Sequence, residues 1–339
     1  MKKYFLYELK KHIWTLVILT AVCALPYIVE VATMRMTYTY FPETEKERIY
    51  IQNPQLSFVF VELLILLFVV PAIVYSFKMS KRSVDGYYSL PIKREKLYFV
   101  ATMVGLILVL VPFTISYWGG FLTLLFRKGN PYKMGYYIPA YFGGLFFAVF
   151  LYGINAFIYT RANRIVDGLV FMGAYAFIGR LFLACLEDSF NVSVFTWRIE
   201  QCFFFSGSMF AFVDRMCDYI MLSKIGESYE SYAGWWFGLT IAAGALCYAL
   251  LYFAIRFEKG ENAEQNSDSW FGYKTLIPVY MALCCGSGAA EEIIGLVLVA
   301  VGGVVATIVY KRKFKLKFID WLPFIIGLAA GIVFAVISG

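Results

Sequence analysis

Residues 78–96 read KMSKRSVDGYYSLPIKREK and form the most basic connection in the chain. Two long apolar runs, residues 56–77 and 97–120, flank this loop directly. Each run exceeds the roughly 20 residues that an α-helix needs to cross about 30 Å of hydrocarbon. Because Lys and Arg beside membrane spans stay in the cytoplasm, we expect the loop to lie on the cytoplasmic face of a membrane protein.

The composition extends this expectation to the whole chain. Of its 339 residues, 61% are hydrophobic and 16% are charged, and the mean hydropathy is +0.69. A soluble domain could not bury this much apolar surface in one core. We therefore predict an all-α fold, a polytopic helical membrane protein with about nine transmembrane helices. The predicted spans are residues 13–34, 56–77, 97–120, 136–160, 165–186, 233–255, 275–290, 293–310 and 319–338.

The basic residues predict the orientation of these spans. With a cytoplasmic N-terminus, the inner segments hold 20 of the 30 Lys and Arg, the outer segments hold nine, and Arg180 lies within the fifth span. The positive-inside rule therefore favours this orientation in the cell (plasma) membrane. The net charge of +7 then lies mainly at the inner face, where it suits an anionic lipid leaflet, and no nucleic-acid partner is predicted.

The chain is predicted to have three parts. Residues 1–257 form a six-span core, residues 258–274 a cytoplasmic linker, and residues 275–339 a three-span C-terminal extension. The N-terminal MKKYFLYELKKHIW is predicted to lie in the membrane interface as an elbow helix, although its lysines alone could serve to anchor the first span. Residues 187–232 are predicted to be an outer re-entrant segment, in which Cys202 and Cys217 could form a disulfide.

The sequence predicts no catalytic, metal or cofactor site on this chain. His12 is the only histidine, so neither a zinc triad nor a Ser-His-Asp arrangement can be assembled. Glu291 and Glu292 lack the arginine and the histidines that accompany paired glutamates in intramembrane CAAX-type proteases. No Gly-Lys dipeptide exists, which excludes the usual phosphate loop, so ATP-driven work would need a partner.

Two charges fall inside predicted spans at a similar distance from the outer face. They are Glu62 in the second span and Arg180 in the fifth. Because an unpaired charge within the membrane is costly, we expect an intramembrane ion pair between them. The pair would either hold helices together or line a substrate path.

The segment DGYYSLPIKREKL, residues 85–97, resembles the cytoplasmic loop of export-type (type-2) ABC transporter permeases of Gram-positive bacteria, which often reads D-x-Y-x-S-L-P-I-x-R-x-x-L. The elbow helix, the six spans and the outer re-entrant segment are also similar to that family, over about residues 1–257. The three C-terminal spans exceed its six-span core. The matching loop positions are Asp85, Tyr87, Ser89, Leu90, Pro91, Ile92, Arg94 and Leu97.

The resemblance implies that a coupling helix around residues 81–93 docks into a separate ABC ATPase subunit, which binds ATP and Mg. It also implies a second permease, identical or different, and export of a substrate without covalent chemistry on this chain. The alternatives are a positive-inside loop without a partner in an ATP-independent transporter or channel, or a membrane sensor or assembly protein. The predicted partner-binding residues are Lys81, Arg82, Asp85, Tyr87, Tyr88, Leu90, Pro91, Lys93 and Arg94.

Overall fold

A computed structural model of the chain describes residues 2–33, 37–41, 46–50, 54–126, 135, 137–190, 235–257, 260–265, 267, 269–284 and 293–311, with a few positions between 321 and 333. Its α-helices are α1 (Lys2–Lys11), α2 (Ile13–Thr33), α3 (Pro54–Val74), α4 (Lys81–Tyr88), α5 (Arg94–Leu125), α6 (Tyr137–Thr160), α7 (Ile165–Phe190), α8 (Trp235–Arg256), α9 (Tyr273–Cys284) and α10 (Ile293–Lys311). Short 3-10 turns occupy Ser76–Met79 and Gly260–Asn262.

Long apolar helices dominate the described chain, which fits a membrane protein. Within the described residues, four helices are long and apolar enough to cross a membrane: α2, α5, α6 and the part Gly238–Arg256 of α8. Shorter apolar helices cover Phe58–Val74, Ile165–Ile178 and Val297–Ile308. The predicted helical class is thus confirmed, whereas the count of nine spans is not.

Several predictions fall on residues outside the described chain. They include residues 191–232 of the re-entrant segment with Cys202 and Cys217, the Glu291 and Glu292 pair, and most of the ninth span. One element was not predicted. Strands β1 (Thr37–Phe41) and β2 (Lys46–Tyr50) form an antiparallel hairpin with Thr37 opposite Tyr50, in segments rich in the aromatic and β-branched residues that favour strands.

The helices are divided between two compact units. The first comprises Met1–Val74, Ile92–Asn155 and Ser208–Arg256, and the second comprises the rest of the chain. The chain enters the second unit at Tyr75 and leaves it after Pro91. Helix α4 therefore belongs to the second unit and helix α5 to the first.

Aromatic packing and close helix contacts build the first unit. The ring of Phe113 packs edge-on against Phe60, with centroids 5.7 Å apart, and Tyr117 packs on Tyr141 at 5.3 Å. Gly120 lets the ring of Tyr27 approach the backbone of α5, because a Cβ at this position would overlap that ring. Small residues allow such close approach between membrane helices, where van der Waals packing drives association.

In the second unit, α7, α9 and α10 meet at one end around Tyr273. Its ring lies 4.9 Å from Phe171 of α7 and 5.1 Å from Tyr310 of α10. Its hydroxyl donates a hydrogen bond to Asp167 at 3.0 Å. These contacts fix the three helices next to the segment that supports α4.

Candidate partner-docking site

Helix α4 is a short amphipathic helix that follows the 3-10 turn Ser76–Met79. Val84 is buried and holds the inner face of the helix, while Arg82, Asp85 and Gly86 are exposed on the opposite face. Ser80 occupies the N-cap, but in the described structure its side chain makes no capping hydrogen bond. The start of α4 therefore depends on another residue for its cap.

The predicted aromatic anchors are partly used inside the protein. The ring of Tyr87 stacks on Phe77 of the preceding turn, with centroids 4.5 Å apart, and both Tyr87 and Tyr88 are only partly accessible. Leu90 is 37% exposed and Pro91 is exposed beside it. The apolar groups most available to a partner are thus the residues just after α4.

Local hydrogen bonds close the C-terminal end of α4. The backbone N–H of Ser89 donates to the carbonyl oxygen of Asp85 at 3.1 Å, and the Ser89 hydroxyl donates to that of Gly86 at 2.9 Å. Helix α5 then begins at Arg94 with Lys93 at its N-cap, and both side chains are exposed. Seven of the nine predicted partner-binding residues therefore lie on, or within three residues of, α4 in the second unit, whereas Lys93 and Arg94 belong to the first unit.

A brace formed by residues 161–164, 261–265 and 267 supports α4, and Glu264 joins its parts. The Glu264 carboxylate accepts a hydrogen bond from the backbone N–H of Lys81 at 3.2 Å, which supplies the missing N-terminal cap of α4. The Glu264 N–H donates to the carbonyl oxygen of Asn163 at 3.0 Å. The carbonyl oxygen of Glu264 accepts a bond of 2.7 Å from Arg164 Nε.

The residue that makes these three bonds, Glu264, has an unusual backbone conformation. Its φ is +65°, and it is the only non-glycine residue of the described chain with a positive φ. Such a conformation is costly for a residue with a Cβ and persists only where surrounding contacts enforce it. The strained residue therefore marks the place where the brace is fixed to α4.

A second set of contacts holds the brace to the helices beneath it. Ser267 is 1% exposed, and its hydroxyl donates to the carbonyl oxygen of Arg161 at 2.7 Å. The Tyr310 hydroxyl donates to the carbonyl oxygen of Ser267 at 3.2 Å. The ammonium of Lys78, which is 5% exposed, donates to the carbonyl oxygen of Thr160. Lys78 thus contributes to the fold instead of to the exposed charge of the loop.

A different cluster, here called the clamp, lies at the start of α5 in the first unit. Arg256 Nε lies 2.7 Å from Glu95 Oε1, and the Tyr252 hydroxyl donates to the same carboxylate at 2.8 Å. The Arg256 guanidinium also lies over the ring of Tyr252, 5.0 Å from its centroid. The clamp thus joins the first turn of α5 to the last turn of α8.

Of the predicted intramembrane pair, the structure describes the side chain of Glu62 but not that of Arg180. Glu62 is half-buried in α3, and Ser116 Oγ of α5 donates a hydrogen bond of 3.0 Å to its carboxylate. Arg180 lies on α7, but its side chain is outside the described part of the structure. The pairing of Glu62 with Arg180 stays a prediction, and the hydroxyl of Ser116 is a partner that sequence reasoning missed.

His12 lies between α1 and α2, next to Lys11. Burial and the neighbouring Lys11 lower the pKa of His12, against the opposite effect of Glu8, whose carboxylate lies 3.9 Å away. Among the residues that the structure describes, no three His, Cys, Asp or Glu side chains form a group that could hold a metal ion. The arrangement around α4 instead offers an exposed surface on a braced helix.

Comparison with protein-family models, with curated proteins and with solved structures finds no match to this chain. The geometry of the site must therefore support any functional conclusion.

Proposed function

We propose that this chain is the membrane-spanning permease subunit of an ABC transporter, and that α4 is the coupling helix that docks into a separate ATPase subunit. The observation that supports this most is the exposed face of α4, with Arg82, Asp85 and Gly86 held outward by the brace. A helix fixed from beneath can transmit movement of a partner to the rest of its unit. A free loop would absorb that movement.

The proposal includes a multi-pass topology in the cell membrane, a cytoplasmic N-terminus, and a second permease that completes the transport path. Export of a substrate would follow from ATP hydrolysis on the partner, which would hold ATP and Mg. The basic residues of the loop would then contribute electrostatic steering and register, while Leu90 and Pro91 would fill an apolar groove.

The test exploits the open space above Gly86. Gly86 is exposed and a Cβ added there meets no atom within 4 Å, so the side chain of Gly86→Trp starts into open space on the exposed face. Gly135 is also free of neighbours within 4 Å and lies before α6, so Gly135→Trp is a matched control. Each variant is co-purified in nanodiscs with a candidate ATPase that carries a phosphate loop and the ABC signature.

We expect wild type and Gly135→Trp to bind the ATPase stoichiometrically. We expect Gly86→Trp to bind at least about 30-fold more weakly, the effect of losing a central interface contact of about 2 kcal/mol. No binding by wild type would overturn the proposal and favour an ATP-independent transporter, a sensor or an assembly protein. Equal binding by all three would show that the ATPase docks elsewhere.

A further inference from the structure

The second unit contains an open-sided apolar groove between α7, α9 and α10. Its volume is about 590 Å³, within the range of ligand pockets in proteins. The floor is buried, with Leu276 5% and Met281 3% exposed, while Val170 and Phe177 on the rim are 45% and 65% exposed. The groove is therefore a preformed recess that opens sideways from the three helices.

The lining of the groove offers a ligand almost nothing to hydrogen-bond. The Tyr280 hydroxyl already donates to the carbonyl oxygen of Ala174 at 2.6 Å. Gly173 and Gly302 leave open space, because a Cβ at either position meets no atom within 4 Å. The next residue, Gly303, is packed differently, since a Cβ there would overlap Met281. At Gly173 and Gly302 no helix contact requires glycine, but the absence of a side chain keeps the recess open.

One end of the groove carries positive charge. Tyr273 lines the groove and packs against Tyr310, and the ammonium of Lys311 lies 5.6 Å from the Tyr310 ring centroid. Lys274, next to Tyr273, is exposed at the same end of α9. Asp167 also lies at this end, where its carboxylate accepts a hydrogen bond from the Tyr273 hydroxyl. An apolar recess with lysines at one end complements a molecule with an apolar chain and an anionic head.

We propose that this groove binds one acyl chain of an anionic phospholipid, with the phosphate at the Lys274 and Lys311 end. Two of the three helices that form the groove contain shorter apolar segments, Ile165–Ile178 of α7 and Val297–Ile308 of α10. If these segments lie in the membrane, acyl chains are the surrounding solvent and the open side of the groove would face lipid. A lysine near the surface of an anionic membrane strengthens binding about fivefold, which selects an anionic headgroup. The site goes beyond the proposed transport function and does not require the ATPase.

The C-terminal segment of the chain is a competing occupant, but its described contact lies elsewhere. A Cβ at Gly327 would meet the backbone of Pro278 at 2.6 Å, and Pro278 is not among the residues that line the groove. A second copy of the chain is the other competitor. Neither competitor accounts for the lysines at one end of an otherwise apolar recess.

The experiment uses the full chain alone, reconstituted in vesicles of equal parts phosphatidylcholine and phosphatidylglycerol. A trace of phosphatidylglycerol carries a photoreactive diazirine in the middle of one acyl chain. The protein is exchanged into detergent to remove loosely bound lipid, irradiated, digested and mapped by mass spectrometry. We expect crosslinks on α7, α9 and α10 at residues that line the groove.

The variants Gly302→Leu and Gly173→Leu fill the groove from two different helices. Each should lower the crosslink yield about 15-fold, because two excluded methylene groups each contribute about fourfold to affinity. Gly238→Leu is the matched control, since Gly238 also has open space but lies on α8, and its yield should equal that of wild type. Agreement between the two groove variants guards against misfolding of either one.

A second comparison tests the headgroup. The same probe with a choline headgroup should crosslink several-fold less, and Lys274→Gln with Lys311→Gln should remove that difference. Equal yields for the two probes in wild type would overturn the anionic part of the proposal. The absence of groove crosslinks, or crosslinks insensitive to Gly302→Leu and Gly173→Leu, would overturn the site and indicate that protein fills the groove.

Discussion

The brace and the clamp hold two helix starts in different ways. In the brace, Glu264 forms hydrogen bonds through its carboxylate, its backbone N–H and its backbone carbonyl oxygen. Two of its three partners, Lys81 and Asn163, bond through backbone atoms. In the clamp, Glu95, Tyr252 and Arg256 interact through side chains alone. The Arg256 and Glu95 side chains are 49% and 29% exposed, so water competes for these contacts.

The brace and the clamp obtain their strength from different sources. Salt and the conformational entropy of two long side chains weaken an ion pair between exposed charges. The clamp therefore adds little to the stability of an interface that helix packing already forms. The brace depends on one residue held at a positive φ, so it needs a fixed backbone conformation at Glu264. We therefore expect substitutions in the brace to affect α4 more than substitutions in the clamp affect α5.

The largest effect is expected for Glu264→Val. A β-branched residue at φ +65° is strained, and the cap of α4 is lost as well, so the local free energy of opening should fall by about 2–3 kcal/mol. Hydrogen exchange of the α4 amides should become at least about 30-fold faster. Glu264→Gly is the control, because it loses the cap but accepts the positive φ. Equal exchange in both variants would show that strain contributes nothing.

A smaller effect is expected for Ser267→Ala, which removes the buried hydrogen bond to the carbonyl oxygen of Arg161. The loss should be about 1 kcal/mol, measured as thermal unfolding and as hydrogen exchange near residues 261–265. Ser89→Ala removes an exposed bond of similar length, 2.9 Å, and should cost only a few tenths of that. If Ser89→Ala destabilised as much as Ser267→Ala, burial would not explain the strength of the bond made by Ser267.

Local properties of the sequence predicted part of this arrangement. Apolar length indicated the long helices, and the resemblance of residues 85–97 to a permease loop implied a short helix around residues 81–93, where the structure has a helix at Lys81–Tyr88. Both properties depend on neighbouring residues only. The cap from Glu264 could not be read in the same way, because Glu264 and Lys81 lie 183 residues apart in the chain.

Counting charges also misses where a side chain points. Lys78 was counted as one of the basic residues of the loop, yet its ammonium is buried against the carbonyl oxygen of Thr160. Tyr87 was expected to face a partner, yet its ring stacks on Phe77. Composition fixes how many charges and rings a loop contains, whereas tertiary packing decides which of them remain available.

A substitution that stabilises α4 tests whether helix propensity can replace the brace. Gly86→Ala replaces a glycine within α4 by the best helix former, and the added methyl group meets no atom within 4 Å, so α4 should gain about 0.5–1 kcal/mol. Slower hydrogen exchange of the α4 amides would confirm this. Combined with Glu264→Val, the change should restore part of the lost protection. No restoration would mean that the brace determines the position of α4 and helix propensity does not.

The smallest effect is expected for Arg256→Gln in the clamp. The substitution removes the ion pair with Glu95 and the stacking on Tyr252, but the packing of α5 against α8 remains. Its effect on thermal unfolding should be below that of Ser267→Ala and should shrink as salt is raised, because exposed charges are screened. The effect of Ser267→Ala should not change with salt. If Arg256→Gln proved as damaging as Glu264→Val, or insensitive to salt, the clamp would be a structural contact of the same kind as the brace.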